Sequence, residues 1–260
     1  MYFGHNRKST QSQQIRVMKK VFISQSNYIP WRGYFNAIDL VDEFVIYDDV
    51  QYTRRDWRNR NRIKTSKGDI WLTIPIEVKN RYFQKIEDAR ISDHSWAQHH
   101  WQSLKTNYSK SPYFKQYAPL FEALYLGKTY THLTEVNYDF IRLICSILKI
   151  STRISYSKDF NVLDGSKSEK LLRICKTLEA TDYYSGPSAK NYLEESVFNQ
   201  NNVNVHYFDF SGLEPYPQQF GSFSNNVSVL DLIFNTGPDA YKYLSLKYAD
   251  HALLPELILA

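Results

Sequence analysis

The sequence predicts an α/β protein in which helices flank a mostly parallel sheet and a helical insertion or subdomain occupies the middle of the chain. Three observations predict it. The apolar runs Val21–Gln25 and Phe44–Tyr47 enclose a polar turn and a stretch, Tyr34–Val41, with apolar groups at helical spacing. Strand, loop, helix and strand in that order imply a parallel pair joined by a crossover. From about residue 94 to 149 the pattern is helical, punctuated by Tyr, Trp and Phe, and beyond it short apolar runs alternate with helical ones again.

Taken in order, the stretch from Asp48 to Arg62 reads as a loop leaving the second strand. Trp71–Ile76 reads as another strand, with Pro75 marking an edge or a strand end. Trp96–Leu148 forms the helical block. Ile154–Tyr156, Asp182–Tyr184 and Val203–Phe208 read as strands, with helices at Ser168–Leu178 and Ala189–Phe198 between them. Helical stretches around Val229–Phe234 and Ala240–Leu246 close the chain, which shows no internal repeat.

With 260 residues, 43% of them hydrophobic, there is material for one compact unit with a real core. The 32 bases against 27 acids are too evenly matched for a histone-like partner, so nucleic acid is not the expected main ligand, and the placement of the positive charge matters more than its total. No stretch approaches the roughly 18 apolar residues of a membrane span, and the first 17 residues lack the apolar centre of a secretory signal. The expectation is a cytoplasmic protein in which residues 1–17 form a disordered extension, Met18 standing where an internal start would. Residues 18–260 are expected to form a single α/β domain, with the helical insertion at about 94–149. Cys145 and Cys175 lie in apolar helical runs and are expected as buried thiols rather than a disulfide framework.

Five arginines, Arg54, Arg55, Arg58, Arg60 and Arg62, fall within nine positions. Guanidinium groups are permanently charged planar forks matched to phosphate and carboxylate, so such a cluster marks a pocket for a bulky anion. Gln51, Tyr52, Trp57, Asn59 and Asn61 alternate with the arginines and offer stacking surfaces and amide hydrogen bonds. The plainer alternative is a solvated loop partly neutralised by Asp48, Asp49 and Asp56. Upstream, Gln25, Asn27, Tyr28, Trp31 and Arg32 form a turn through Pro30 that opens a helix, where backbone amides attract anions. An ordinary strand-to-helix turn with a buried Trp is the alternative there. Ligands of open parallel sheets settle at the carboxyl ends of strands. Both segments leave from such ends and are expected to face one crevice.

Asp48 and Asp49 are candidates for a general base, a ribose contact or a divalent metal. Adjacent residues on an extended chain point to opposite faces, so at most one is expected in the pocket. His94, His99 and His100 lack the i, i+4 spacing of a metal pair, and no metal site is expected. An acid–base role remains for one histidine, with His99 as the catalytic candidate beside the two aspartates. Ser185, Gly186, Ser188 and Lys190 follow the 182–184 strand and look like a phosphate or carboxylate cradle without the spacing of a Walker loop. Asn235, two residues before Gly237, is either a helix-end residue or a ligand contact.

Six ordered motifs carry a family resemblance. They are Gln25–Phe35, Phe44–Tyr52, Trp57–Ile63, Trp71–Pro75, Tyr184–Leu193 and Leu230–Gly237, and the likeness runs from about Val21 to Gly237. At these segments the chain resembles the WbqC-like protein family, found among bacterial surface-polysaccharide genes. It departs at Ser26, where that family often has proline after the glutamine. The resemblance implies work on a sugar, often an amino sugar carried on a nucleotide.

Three functions follow as expectations. The first is an O-antigen biosynthesis enzyme that transfers an acyl or aminoacyl group to the amine of a nucleotide-linked amino sugar. In it the arginines and the Ser185–Gly186 loop hold the diphosphate, Trp31, Tyr52 or Trp57 stacks on base or sugar, and an Asp or His takes the amine proton. If the acyl group is activated by ATP in this protein, Mg²⁺ is required and Asp48 or Asp49 is its expected ligand. The second is a non-catalytic protein binding a nucleotide sugar, glycan or RNA, and the third a nucleotidyltransferase acting on a sugar phosphate.

Overall fold

Strand β1 (Lys20–Ser24) is buried through Val21, Phe22 and Ile23, whose side chains alternate between two faces. Phe22 joins Phe44 and Ile46 of β2 (Glu43–Ile46) in a core beneath α1 (Arg32–Asp39), while Val21, Ile23 and Val45 enter a second core on the opposite face. Burial on both sides follows from parallel pairing, because the crossovers lay helices over both faces. The computed structural model describes residues 18–161 and 165–244. The extension expected at 1–17 and the end of the last helical stretch, 245–246, lie outside them.

Three further strands, β5 (Arg153–Tyr156), β6 (Asp182–Ser185) and β7 (Asn204–Tyr207), complete a five-stranded sheet of order β5-β2-β1-β6-β7. Every neighbouring pair is parallel. The fold is therefore α/β with a parallel sheet flanked by helices. Helices α1 and α4 (Leu133–Ile147) cover the first face, and α5 (Lys167–Thr177) and α6 (Glu195–Asn199) the second. The chain moves outward from β1 to β2 and β5, then returns to β6 on the other side of β1. Loops after β1 and β6 consequently diverge and leave a crevice at their carboxyl ends.

The helical block comprises α2 (Trp96–Tyr108), α3 (Phe114–Leu126) and α4. Its Trp101, Phe121 and Phe140 share one core with Phe22 and Phe35, so α4 acts as the crossover from β2 to β5. Two expectations change. The Asp48–Arg62 stretch is a loop only to Asn59, and Arg60–Thr65 is a strand, β3, paired antiparallel with β4 (Gly68–Thr73) in a separate hairpin. The helix expected at Ala189–Phe198 is a 3₁₀ turn, Pro187–Asn191, followed by α6. Glu194, at φ −86° and ψ 84°, interrupts it, and the Ser168 hydroxyl accepts the Glu194 amide at 3.0 Å. The closing helices are α7 (Val229–Thr236) and the 3₁₀ turn Gly237–Tyr243. Both cysteines are buried free thiols, and burial pushes each up to about 12.

Candidate functional site

The two conspicuous sequence segments lie against each other. The Tyr28 amide donates to Trp57 O at 3.0 Å, Arg58 Nη1 donates to Asn27 Oδ1 at 2.5 Å, and Asn61 Nδ2 donates to the carbonyls of Tyr28 and Ile29 at 3.2 and 2.8 Å. That last pair brackets Ile29, which sits at φ 36°, a strained conformation for a β-branched residue that needs surroundings to impose it. The loop after β1 is thus held in shape by the first residues of β3.

Beneath this junction is a buried polar chain. Asp48 is 3% exposed; its Oδ1 accepts the Ser26 amide at 2.8 Å, and its Oδ2 accepts the Ser26 and Thr134 hydroxyls, each at 2.7 Å. Asn137 of α4 donates to Ser26 Oγ and to Arg58 O. Burial pushes the Asp48 carboxyl up, against the pull of those donors and of Arg58. Asp49 goes the other way and accepts the Ser157 hydroxyl. The opposite-facing expectation holds, but Asp48 is the inward one and its oxygens are committed to protein donors. The expectation of Asp48 as metal ligand or base is corrected on that ground: an ion or proton would have to displace hydrogen bonds that fix the loop. Asp49, half-buried, keeps one carboxylate oxygen without a hydrogen-bond partner among the described residues.

The hairpin gives the arginine cluster its meaning. Strand period two sends Asn59 and Asn61 inward and Arg60 and Arg62 outward. Asn59 Nδ2 donates to Ile74 O at 2.8 Å, so the asparagines expected to contact a ligand are instead structural. On the outer face Trp71, opposite Arg62 in the register, lies under both guanidinium groups, 4.1 Å from Arg60 Cζ and 4.5 Å from Arg62 Cζ, and the Trp57 ring stands beside it, tilted by 43° with centroids 5.4 Å apart. Arg60 Nε is buried without a hydrogen-bond partner, and among the described residues the ion pairs include neither Arg60 nor Arg62. Contact with the indole restrains two half-buried cations, neither of which is paired with a carboxylate among the described residues. Tyr52, its ring buried, lies within electrostatic range of Arg54, Asp56 and Arg60.

The other expected contacts disperse. Tyr28 is fully buried and bonds His100 Nδ1 at 2.9 Å and the Tyr125 hydroxyl at 2.6 Å, so its ring is core. Arg32, 2% exposed, donates to Leu213 O, Glu214 O and Asn225 Oδ1 and faces the Tyr216 and Phe223 rings; it organises the 213–225 segment rather than a ligand. Asn235 is buried in α7 and donates to Asp231 O one turn back. His99 is exposed on α2 with Asp93 as its charged neighbour, away from the aspartates it was expected to join. His94 is exposed, and His100 is in the core, where burial lowers it to about 3. Among the described residues no group of three or more His, Cys, Asp or Glu side chains is placed to hold a metal ion.

At the sheet's carboxyl edge, Gln25 follows β1 with its side-chain amide unpartnered among the described residues and its carbonyl accepting the Tyr34 hydroxyl at 2.9 Å. Across the crevice Ser185 is buried, Gly186 has open space where a Cβ would stand, Ser188 is exposed, and Lys190 lies over the Tyr207 ring at 5.1 Å. Trp31 turns toward Phe210, ring centroids 5.1 Å apart, and folds over Gly33, where any Cβ would overlap the indole. Arg54 donates to Val78 O at 2.7 Å and lines a small groove with Gln51, Arg81 and Tyr82.

A model of the WbqC-like protein family matches residues 25–243. The chain belongs to this family. It is also 50% identical over 227 residues, 87% of this chain and 98% of the relative, to the uncharacterized protein Rv1507c of Mycobacterium tuberculosis (strain ATCC 25618 / H37Rv). No solved structure matches it. The WbqC-like match begins at Gln25, at the end of β1, and so spans the loop, the arginine hairpin and the Ser185 loop together. Within it, sequence reasoning passed over Trp71 as a platform and Lys64 as a buried cation on the same strand face, held by Gln218 and Ser222. The signal was the strict alternation Arg58-x-Arg60-x-Arg62-x-Lys64, a strand signature. No helix among the described residues of this WbqC-like chain is long and apolar enough to cross a membrane.

Proposed function

We propose that this WbqC-like protein is a cytoplasmic enzyme of bacterial surface-polysaccharide (O-antigen) assembly that binds a nucleotide-linked amino sugar and transfers an acyl or aminoacyl group to its amine. One observation carries the ligand class. Two half-buried guanidinium groups, Arg60 and Arg62, lie over the Trp71 ring with no carboxylate paired to either among the described residues. Unpaired, pre-oriented arginines favour phosphate strongly, because most of their ordering has already been met by the fold. Trp57 and Trp71 add stacking surface for a base or a sugar face.

For the chemistry, the sugar amine attacks the carbonyl carbon of an activated acyl donor, an acyl thioester or acyl adenylate; the C–N bond forms, the C–S or C–O bond to thiolate or AMP breaks with its electron pair, and the amine sheds a proton. We assign that proton to Asp49, whose carboxylate retains an oxygen after accepting from Ser157, with Asp48 positioning the loop. If the acyl donor is activated here, ATP phosphates draw on the same arginines, and Mg²⁺ carried by those phosphates would supply charge neutralisation. Titration calorimetry with nucleotide sugars and nucleoside triphosphates tests the ligand class, and Asp49→Asn tests the base: binding retained with amide formation lost supports it. Binding retained with no acyl transfer by the unmodified protein favours the non-catalytic alternative. A nucleotidyltransferase would instead release pyrophosphate from a nucleoside triphosphate.

A further inference from the structure

The cations on this face of β3 continue past Arg62 to Lys64, which is 5% exposed. Lys64 follows in the same alternation, and the register sets Asp69 opposite Lys64 as it sets Trp71 opposite Arg62. Beyond them opens a groove of about 510 Å³ between the hairpin and the 220–226 segment. Its far wall is held firmly. Arg32 ties down Leu213, Glu214 and Asn225 from beneath, Gln218 bonds both the amide and the carbonyl of Ser224, and the Ser224 hydroxyl donates to Asp69 at 3.0 Å. Lys64 Nζ closes the inner end by donating to Gln218 Oε1 and Ser222 O. Phe220, at φ 65°, is turned outward in a left-handed conformation, and with Phe223 it presents rings that are 37% and 36% exposed.

This lining differs in kind from the arginine platform. Asp69 offers an acceptor, Asn226 carries donors and an acceptor with no partner among the described residues, serine hydroxyls supply both, and phenyl faces stand beside them. A carboxylate in the groove disfavours phosphate there. Mixed donors and acceptors next to aromatic faces suit a polyhydroxylated ring, whose hydroxyls need partners of both kinds while its C–H face needs an apolar one. Order agrees: Arg60, Arg62 and Lys64 follow one another on one face of β3, and the two guanidinium groups over Trp71 are near enough to share one diphosphate, with the groove next along the strand.

We propose that the groove between Asp69 and the Phe220–Asn226 segment is the sugar subsite for a glycosyl diphosphate whose phosphates lie on Arg60 and Arg62. The inference rests on the anion reading above and adds where the sugar goes and which residues select it. The test uses the full-length protein with UDP-N-acetylglucosamine, UDP and inorganic pyrophosphate as probes in calorimetry and hydrogen exchange. The unmodified protein should bind UDP-N-acetylglucosamine about tenfold tighter than UDP, a gain typical of a few neutral hydrogen bonds. Only the sugar-bearing probe should protect residues 220–226. Asp69→Ala and Asn226→Ala should each lose most of that gain without weakening UDP or pyrophosphate; the Asn226 side chain has no bond to break within the fold. Equal affinity for UDP and UDP-N-acetylglucosamine with 220–226 unprotected, while Arg60→Ala weakens both, overturns the subsite and leaves the anion reading standing. Failure of all three probes to bind the unmodified protein removes the anion reading and the subsite together.

Discussion

The carboxylate of Asp48 accepts both polar groups of Ser26, the amide at 2.8 Å and the hydroxyl at 2.7 Å, and so ties the ends of two adjacent strands together. Thr134 makes a third donor to the same group. Asp48→Ala leaves three buried donors unmet and should destabilise the fold by about 3 kcal/mol or more, whereas Asp48→Asn, which keeps one acceptor, should lose about half of that. Denaturant midpoints measure both. A loss below about 0.5 kcal/mol for Asp48→Ala would show that water enters the site and the chain of bonds is not a closed one.

The arginine platform predicts a separation of binding from stability. Arg60→Ala and Arg62→Ala should each weaken a nucleotide sugar by more than about 1 kcal/mol, the usual worth of a charge-assisted hydrogen bond, while unfolding transitions stay close to the parent. Trp71→Ala should weaken binding as well, because it frees both guanidinium planes at once. Unchanged affinity in all three variants would return the cluster to an ordinary solvated face. A salt titration adds a second check: a nucleic-acid partner would show steep loss of affinity with the logarithm of salt concentration, and a small diphosphate should show much less.

Arg32→Lys is predicted to be far from conservative. The guanidinium makes bonds to two carbonyls and to Asn225 from between two aromatic rings, a fork that an ammonium does not reproduce. Expected effects are destabilisation on the order of 2–4 kcal/mol and faster proteolysis within 213–226. Parent-like cleavage in that segment would mean that the loop is organised by its own contacts.

The buried His100 gives stability a pH dependence with a defined sign. Its Nδ1 faces the Tyr28 hydroxyl and the ring also bonds the Thr73 carbonyl, while burial lowers it from the usual 6.5 to about 3. The unfolded chain therefore binds the proton more readily than the native one. The contribution is complete above about pH 6.5 and is lost as pH falls toward about 3, at up to about 1.4 kcal/mol per unit. Unfolding free energies of the parent and His100→Gln at pH 7 and pH 5 test it: the variant should be less stable at pH 7 and show the shallower decline. Parallel declines would assign the acid sensitivity to other groups.

Much of this was legible in the residues. Paired apolar runs around Tyr34–Val41 gave the crossover, and the long Trp96–Leu148 pattern gave the helical block, because hydrophobic period is set by local geometry. The loop placement of Gln25–Asn27 beside Arg58 followed from strand ends. What failed was sidedness. Tyr28 and Arg32 are polar or amphipathic groups that look available in a string of letters, yet each meets partners distant in sequence, Tyr125 and Glu214 among them, and no local pattern announces such partners; Asn235 instead bonds the Asp231 carbonyl within its own buried helix. Asn59 and Asn61 were a different case. Their alternation with arginine was plain, and it marked a strand with an inside and an outside rather than a mixed ligand surface.

That parity makes the hairpin unforgiving of length. A single residue inserted or removed between Trp57 and Arg60 would exchange the two faces of β3, driving guanidinium groups against Tyr28 and Ile74 and turning short neutral amides toward the tryptophans. The fold should therefore tolerate substitution of Arg60 or Arg62, at a cost to binding alone, but no change of register.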